Sequence, residues 1–296
     1  MVYEEAEEEE EPAPESLEQR QLDTMLSESL FGSKLEGPQS RTFSSMTMED
    51  FTWLKITCTC MIHLKPNLAE RIEATNTLGQ GELWSSANLY RQLHFLENHI
   101  PRANEASAHA WIDAFLFRAS AMLPPDKYMI LNKEHVVPAT AISPSGLQTL
   151  SGIVDYTAIV ASQSDDAGFY LTPASFHEIK AIMPSSFFVI EAKLHDPNHI
   201  VQVLSKMYAC GKFLQQKVLR GALINGHDWI FLLMTLNDDY DGASYVRSAE
   251  LSLGIHGLVG GELVIHRRSL DLIAGILSHW IENSFSDLGS DDWFTA

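Results

Sequence analysis

FFVIEAKL, Phe187 to Leu194, is an apolar, β-rich run with a glutamate and a lysine set two residues apart inside it. A strand repeats every two residues, so Glu191 and Lys193 share one face while Phe188, Ile190, Ala192 and Leu194 share the other. Charge embedded in such a strand is costly unless something pairs with it. Upstream, SGIVDYTAIV sets Asp155 in a second strand-like segment. An Asp on one strand and a Glu-x-Lys on a later one make a compact group of two carboxylates and an ammonium, a set of hard oxygen donors that suits Mg²⁺ and a phosphodiester.

Immediately downstream, Asp196 stands in a capping position and Pro197 at the first helical residue, a pairing favoured because proline lacks the N–H that would be orphaned there. The predicted helix runs from Pro197 to about Leu214, with Ile200, Val203, Leu204 and Met207 as its apolar side. GALINGHDWIFLLM then reads as two strands around the turn Asn225-Gly226. Tyr245–Leu253 and Glu262–His266 read as strands, and Ser269 to about Phe285 as a closing helix packed through Leu270, Ile273, Ile276, Leu277, Trp280 and Ile281. Before Asp155, Tyr128–Leu131 with His135–Val137 is strand-like. Two helices precede it, from about Ser86 to His99, ended by Pro101, and from an Asn104 cap to about Leu123, with Trp111, Phe115, Arg118 and Met122 on one stripe. Phe51 to Leu64 is β-branched, and periodicity does not decide between helix and strand there. Helices alternating with strands predict an α/β (α+β) fold, a mixed central sheet flanked by helices, with an N-terminal helical extension.

The chain of 296 residues is 45% hydrophobic, enough for a sizeable core. Its net charge is −19, but residues 1–30 hold eleven acids against Arg20 alone, so the remaining residues carry only −9. That balance weakens a nucleic-acid reading without removing it, because a local groove can be basic on an acidic protein. The division expected is a disordered acidic tail over residues 1–45, a helical or mixed accessory segment over 46–103, a core over 104–286, and a second acidic tail over 287–296. Three cysteines do not make a disulfide framework. Neither a secretory signal nor a membrane-length apolar run is visible, so the expected location is intracellular, nucleus or cytoplasm.

Asp155, then Glu191-Ala192-Lys193 on the next core strand, then a capped helix carrying Gln202, resembles the PD-(D/E)XK nuclease superfamily, the restriction-endonuclease-like fold. GALINGHDWIFLL is similar to the strand pair after that helix in fungal members, including nuclease-like domains of Crinkler-type and transposon-associated proteins. The resemblance covers about residues 104–236. It implies a core of helix, three-strand meander, helix and strand. It also implies Mg²⁺ (or Mn²⁺) held by Asp155, Glu191 and the carbonyl of Ala192, with Lys193 orienting the attacking water. Glu105, on the first helix, and Gln202 enter as assisting residues on the same resemblance. The expected activity is hydrolysis of nucleic acid, DNA ahead of RNA. The alternative is a catalytically inactive binding or interaction module on the same fold.

Three features bound that expectation. Glu178-Ile179-Lys180 repeats the Glu-x-Lys spacing, and Glu191 is preferred because its strand is more apolar and leads straight into a capped helix. The interval over residues 161–186 is a long insertion, read as a hairpin extension or a different alignment. Lys206, Lys212, Lys217 and Arg220 either track a nucleic-acid backbone or form a solvated face. Cys58 and Cys60, with His63, lack a second ligand pair at zinc spacing, and the cysteines read as buried structural residues. His195 and His199 lie four apart, but His195 precedes the cap and leaves the helical face. A basic protein, such as a histone, is the partner expected for the acidic N-terminal tail.

Overall fold

Most of the runs read as strands assemble into one mixed sheet of ten strands. The computed structural model describes residues 39–81, 83–101, 105–143, 146–162, 166–171, 175–193, 197–259 and 262–296. The sheet contains β1 (Gln39–Thr42), β2 (Ile56–Leu64), β3 (Lys127–Ala141), β4 (Gln148–Ser162), β5 (Ser186–Ala192), β6 (Val218–Ile224), β7 (Asp228–Leu236) and β8 (Ala243–Ser248). Short β9 (Leu251–Ser252) and β12 (Phe294–Thr295) complete it, while β10 (Ile255–Val259) and β11 (Glu262–Ile265) pair separately. The order is β1-β4-β5-β6-β7-β8-β2-β12, with β3 on β4 and β9 on β7. Helices α1 (Met48–Leu54), α2 (Ala69–Thr77), α3 (Ser86–His99), α4 (Glu105–Ala121), α5 (Asp166–Leu171), α6 (Phe176–Ile182), α7 (Pro197–Leu214) and α8 (Arg267–Glu282) accompany it.

β5 explains why the central strands are apolar throughout. All seven of its residues are buried, because helices cover both faces. Phe188, Ile190 and Ala192 enter a core with Trp111 and Phe115 of α4 and Ile273 and Trp280 of α8. Phe187 and Val189 enter the opposite core with Val203, Leu204 and Met207 of α7. The alternation read from FFVIEAKL is therefore realised, with Glu191 on the α7 side.

Chain order and strand direction fix where this side opens. Helix α4 leads into β3, β4 and β5, which run antiparallel in succession, and α7 carries the chain to β6, parallel to β5. One edge of β4 pairs with β3 along nearly its whole length. Its other edge is divided, since β1 pairs in parallel as far as Ser151 and β5 pairs only from Tyr156 onward. Asp155 stands in the interval between those two ladders.

Several expected boundaries change. Residues 39–45, grouped by composition with the acidic tail, form β1 and a 3-10 turn whose Phe43 is buried; residues 1–38 lie outside the description. Residues 46–103 are no separate accessory segment, because β2 joins the main sheet against β8. Phe51–Leu64 is both structures in turn: α1 ends at Lys55 in a left-handed conformation, φ 54°, and β2 follows. The insertion over 161–186 holds two short helices, α5 and α6, rather than a hairpin. Residues 287–296 are not a solvated tail, since Trp293 and Phe294 are buried and β12 pairs with β2. Their acids misled because Asp291 is itself buried, paired with Arg220 at 2.6 Å. The expected caps Asn104 and Asp196 lie outside the described residues.

Candidate functional site

Asp155 and Glu191 come together as their strands separate. The β4–β5 ladder ends at Tyr156 opposite Ile190, and one residue further the Asp155 carboxylate takes over, its Oδ2 accepting the amide of Ala192 at 2.8 Å. On the other side of β5, Lys193 donates its amide to the carbonyl of Ile224 at 2.9 Å, extending the β6 pairing past the strand end. These bonds fix the Asp155 carboxylate and the base of Lys193.

Two lysines bridge the two acids. Lys206 of α7 hydrogen-bonds Glu191 Oε2 and lies 3.7 Å from Asp155 Oδ1. Lys193 Nζ stands 3.9 Å from Asp155 Oδ2 and 3.9 Å from Glu191 Oε1. The cluster is graded by depth: side-chain exposure is 0% for Glu191 and 6% for Lys206, against 16% for Asp155 and 22% for Lys193. The inner half is sealed, and the outer half meets solvent.

Burial pushes the Glu191 carboxyl up to about 7, and the neighbouring Asp155 charge adds to that push while Lys206 and Lys193 oppose it. Glu191 Oε1 is buried without a hydrogen-bond partner. An orphaned carboxylate oxygen inside a protein is unfavourable by roughly 1–3 kcal/mol, and it is a vacant acceptor. Beside Asp155 lies a cleft of about 370 Å³ lined by His109, Lys133, Glu134, Asp155 and Tyr156. Its far wall is a polar relay: His109 Nδ1 meets the Tyr156 hydroxyl at 2.5 Å, and Lys133 bonds Asp113 at 2.7 Å. Burial, then the Asp113 charge, raises the Tyr156 pKa and keeps the phenol protonated. Glu134 holds a left-handed conformation, φ 52°, within β3 at the cleft mouth.

Of the residues singled out by sequence, Asp155, Glu191, Ala192 and Lys193 are therefore brought together. Gln202 is half-buried on α7, one turn before Lys206 on the same side of the helix. Glu105 opens α4, and its side chain lies outside the described residues. The second Glu-x-Lys is helical: Glu178 closes a capping box with Ser175 on α6, and Lys180 lies over the Phe213 ring at 5.3 Å.

The basic group after the motif does not form one track. Lys206 is buried at the acids, Lys212 lies over Tyr208 at 5.4 Å, Lys217 pairs with Asp238 at 2.5 Å, and Arg220 is buried against Asp291. Each cation already has its own partner. Cys58 and Cys60 are exposed rather than buried, because the short β12 pairs with β2 only at His63 and Leu64. His195 lies outside the described residues. Among the described residues, no group of three or more His, Cys, Asp and Glu side chains is arranged to hold a metal. No helix there is long and apolar enough to cross a membrane.

Neither the protein-family models nor the curated proteins contain a match to this chain. Its chemistry is therefore argued from the cluster itself. Lys206, His109 and Lys133 join that cluster from other elements, and Tyr156 from the position next to Asp155 on β4. Only Lys206 left a local signal, as a lone cation in VLSKMYAC with apolar residues on both sides.

Two carboxylates and a backbone carbonyl form the hard donor set that Mg²⁺ or Mn²⁺ takes, with retained waters completing the shell. The vacant Glu191 Oε1 and the partly exposed Asp155 fit that set. Its charge is already balanced by Lys206 and Lys193.

Proposed function

We propose that this protein is a nuclease dependent on Mg²⁺ or Mn²⁺ that hydrolyses phosphodiester bonds, with DNA ahead of RNA as substrate. The observation that carries the reading is the convergence of Asp155 and Glu191, from neighbouring strands, on the same two ammonium groups where the sheet opens. A further support is the succession α4, β3, β4, β5, α7 and β6, which, with α5 and α6 inserted between β4 and β5, follows the order implied by a PD-(D/E)XK nuclease.

In this reading Asp155, Glu191 and the Ala192 carbonyl hold the divalent ion. When bound, the ion polarises the phosphate and lowers the pKa of a coordinated water. Lys193, the more exposed lysine, orients the attacking water and stabilises charge developing on the phosphoryl oxygens. The buried Lys206 keeps Glu191 aligned. The cleft along His109 and Lys133 receives the strand flanking the scissile phosphate, and Gln202 and Glu105 assist from α7 and α4. Such a substrate places the action inside the cell, in nucleus or cytoplasm, and the acidic residues of the N-terminus suit a basic protein partner.

A catalytically inactive binding module is the second reading. It is favoured by one feature: Lys206 already neutralises Glu191, so the cluster is balanced without a metal. A thermal-shift titration with Mg²⁺ and Mn²⁺ separates the two. A bound ion stabilises the native state by mass action, raising Tm in proportion to the logarithm of its concentration. A degenerate site gives no shift, and divalent-dependent cleavage is then not expected.

A further inference from the structure

We propose that Lys206 is a resident cation of the two-carboxylate site, and that a divalent ion enters by displacing its ammonium group. The inference rests on the metal-dependent reading above and concerns how that site is kept when no metal is bound.

Lys206 Nζ hydrogen-bonds Glu191 and lies 3.7 Å from Asp155, so it sits between the oxygens a metal would bridge. With Glu191 ionised, two carboxylates and two lysines sum to zero charge. Adding a divalent ion to an intact cluster would leave two uncompensated positive charges at a site whose inner half is sealed, which burial penalises heavily. One ammonium must leave. Lys193 is the outer group, 3.9 Å from each acid, and overlaps the metal position less. Lys206 is in direct contact with Glu191 and is the occupant to be displaced.

The surroundings of Lys206 are built to hold it. Its ammonium lies 6.0 Å from the Phe43 ring centroid, within cation–π range. Phe43 is itself locked against Gly152, where an added Cβ would come within 2.6 Å of the Phe43 ring. The 3-10 turn after β1 thus forms one wall of the lysine's seat. A four-carbon stem allows the ammonium to withdraw without moving α7. The occupied seat keeps Glu191 compensated and excludes weakly binding cations. Mg²⁺ is admitted only at the cost of breaking the Lys206–Glu191 bond.

The test uses the full chain and Mn²⁺ as probe, followed by calorimetry and by electron paramagnetic resonance of the free ion. Lys206→Met is expected to bind Mn²⁺ at least roughly tenfold tighter than the wild type, since a cation in hydrogen-bond contact with Glu191 and 3.7 Å from Asp155 no longer competes. Asp155→Asn should abolish binding in either background. In the wild type, lysine acetylation read by mass spectrometry should find Lys206 protected in chelator and labelled on adding Mg²⁺. This second measurement needs no variant to fold. If Mn²⁺ binds the wild type and Lys206→Met equally, or binds the variant more weakly, Lys206 is not the competing cation although the metal site stands. Lys206 remaining protected at saturating Mg²⁺ overturns displacement in the same way. If neither protein binds Mn²⁺, the metal-dependent reading fails and the displacement falls with it.

Discussion

Arg220 with Asp291 and Lys206 with Glu191 are both buried ion pairs, and they are finished to different degrees. The Arg220 guanidinium, on β6, donates to Asp291 at 2.6 Å, to the Asp287 carbonyl at 2.7 Å and to the Ser286 carbonyl at 3.1 Å, and lies 4.8 Å from the Trp280 ring centroid. The other oxygen of Asp291 accepts the amides of Trp293 at 2.8 Å and Phe294 at 2.7 Å. Each charge is met by fixed partners, and the group ties the C-terminal segment to the sheet. At Glu191 one oxygen is orphaned, the ammonium of Lys206 is shared with Asp155, and a second lysine waits at 3.9 Å. A fully satisfied buried pair acts as a staple, while an incompletely satisfied one retains capacity for a ligand.

The contrast can be broken from the staple side. Asp291→Ala leaves a buried guanidinium without its carboxylate, and a loss of about 3–5 kcal/mol in urea denaturation is expected. A loss below about 1 kcal/mol would remove the distinction between the two clusters.

A pH series sharpens it from the other side. Glu191 keeps its proton to about 7 in the fold against an ordinary 4.5 in the unfolded chain. Between those values the native state binds more protons, so this group's contribution to stability falls as pH rises from about 4.5 through about 7. The groups facing it are Lys206 from α7, Lys193 from β5 and Asp155 from β4. In chelator, Glu191→Gln should therefore gain on the wild type by about 2–3 kcal/mol between pH 5 and pH 8. A difference that stays constant across that range contradicts the raised carboxyl.

Smaller effects separate the two Glu-x-Lys copies. Ser175→Ala opens the capping box that holds Glu178 and should cost about 1 kcal/mol, with cleavage unchanged. Any loss of cleavage there would reopen the choice of Glu191. Lys193→Ala removes a partly exposed ammonium 3.9 Å from each acid, and its effect on urea stability should stay under about 1 kcal/mol. A larger loss would make Lys193 a structural residue like Arg220.

Much of the frame was readable because local chemistry determined it. The alternation in FFVIEAKL sorts Phe187 and Val189 from Phe188 and Ile190. Pro197 starts α7, and Asn225-Gly226 turns β6 into β7 with Gly226 at φ 96°. What was not readable depends on contacts distant in sequence. Lys206 is a lone cation in an apolar run, and its carboxylate partners become visible only when α7 is laid on β5. Arg220 belonged to the same apparent basic run, and its partner is 71 residues away. Gln39–Thr42 has no apolar pattern of its own, and its order comes from pairing with β4. The acids near the C-terminus suggested a solvated tail because composition does not reveal that Asp291 is an internal counterion.

The most direct measurement is cleavage of end-labelled single- and double-stranded DNA and RNA by the full chain, in Mg²⁺ and in Mn²⁺ against chelator, with Lys193→Ala beside the wild type. The expected result is cleavage of at least one substrate, abolished by chelator and reduced about 10²–10³-fold in the folded variant. Absence of cleavage of all four substrates in both metals, or undiminished cleavage by Lys193→Ala, would contradict the assignment of Asp155, Glu191 and Lys193 as a nuclease site.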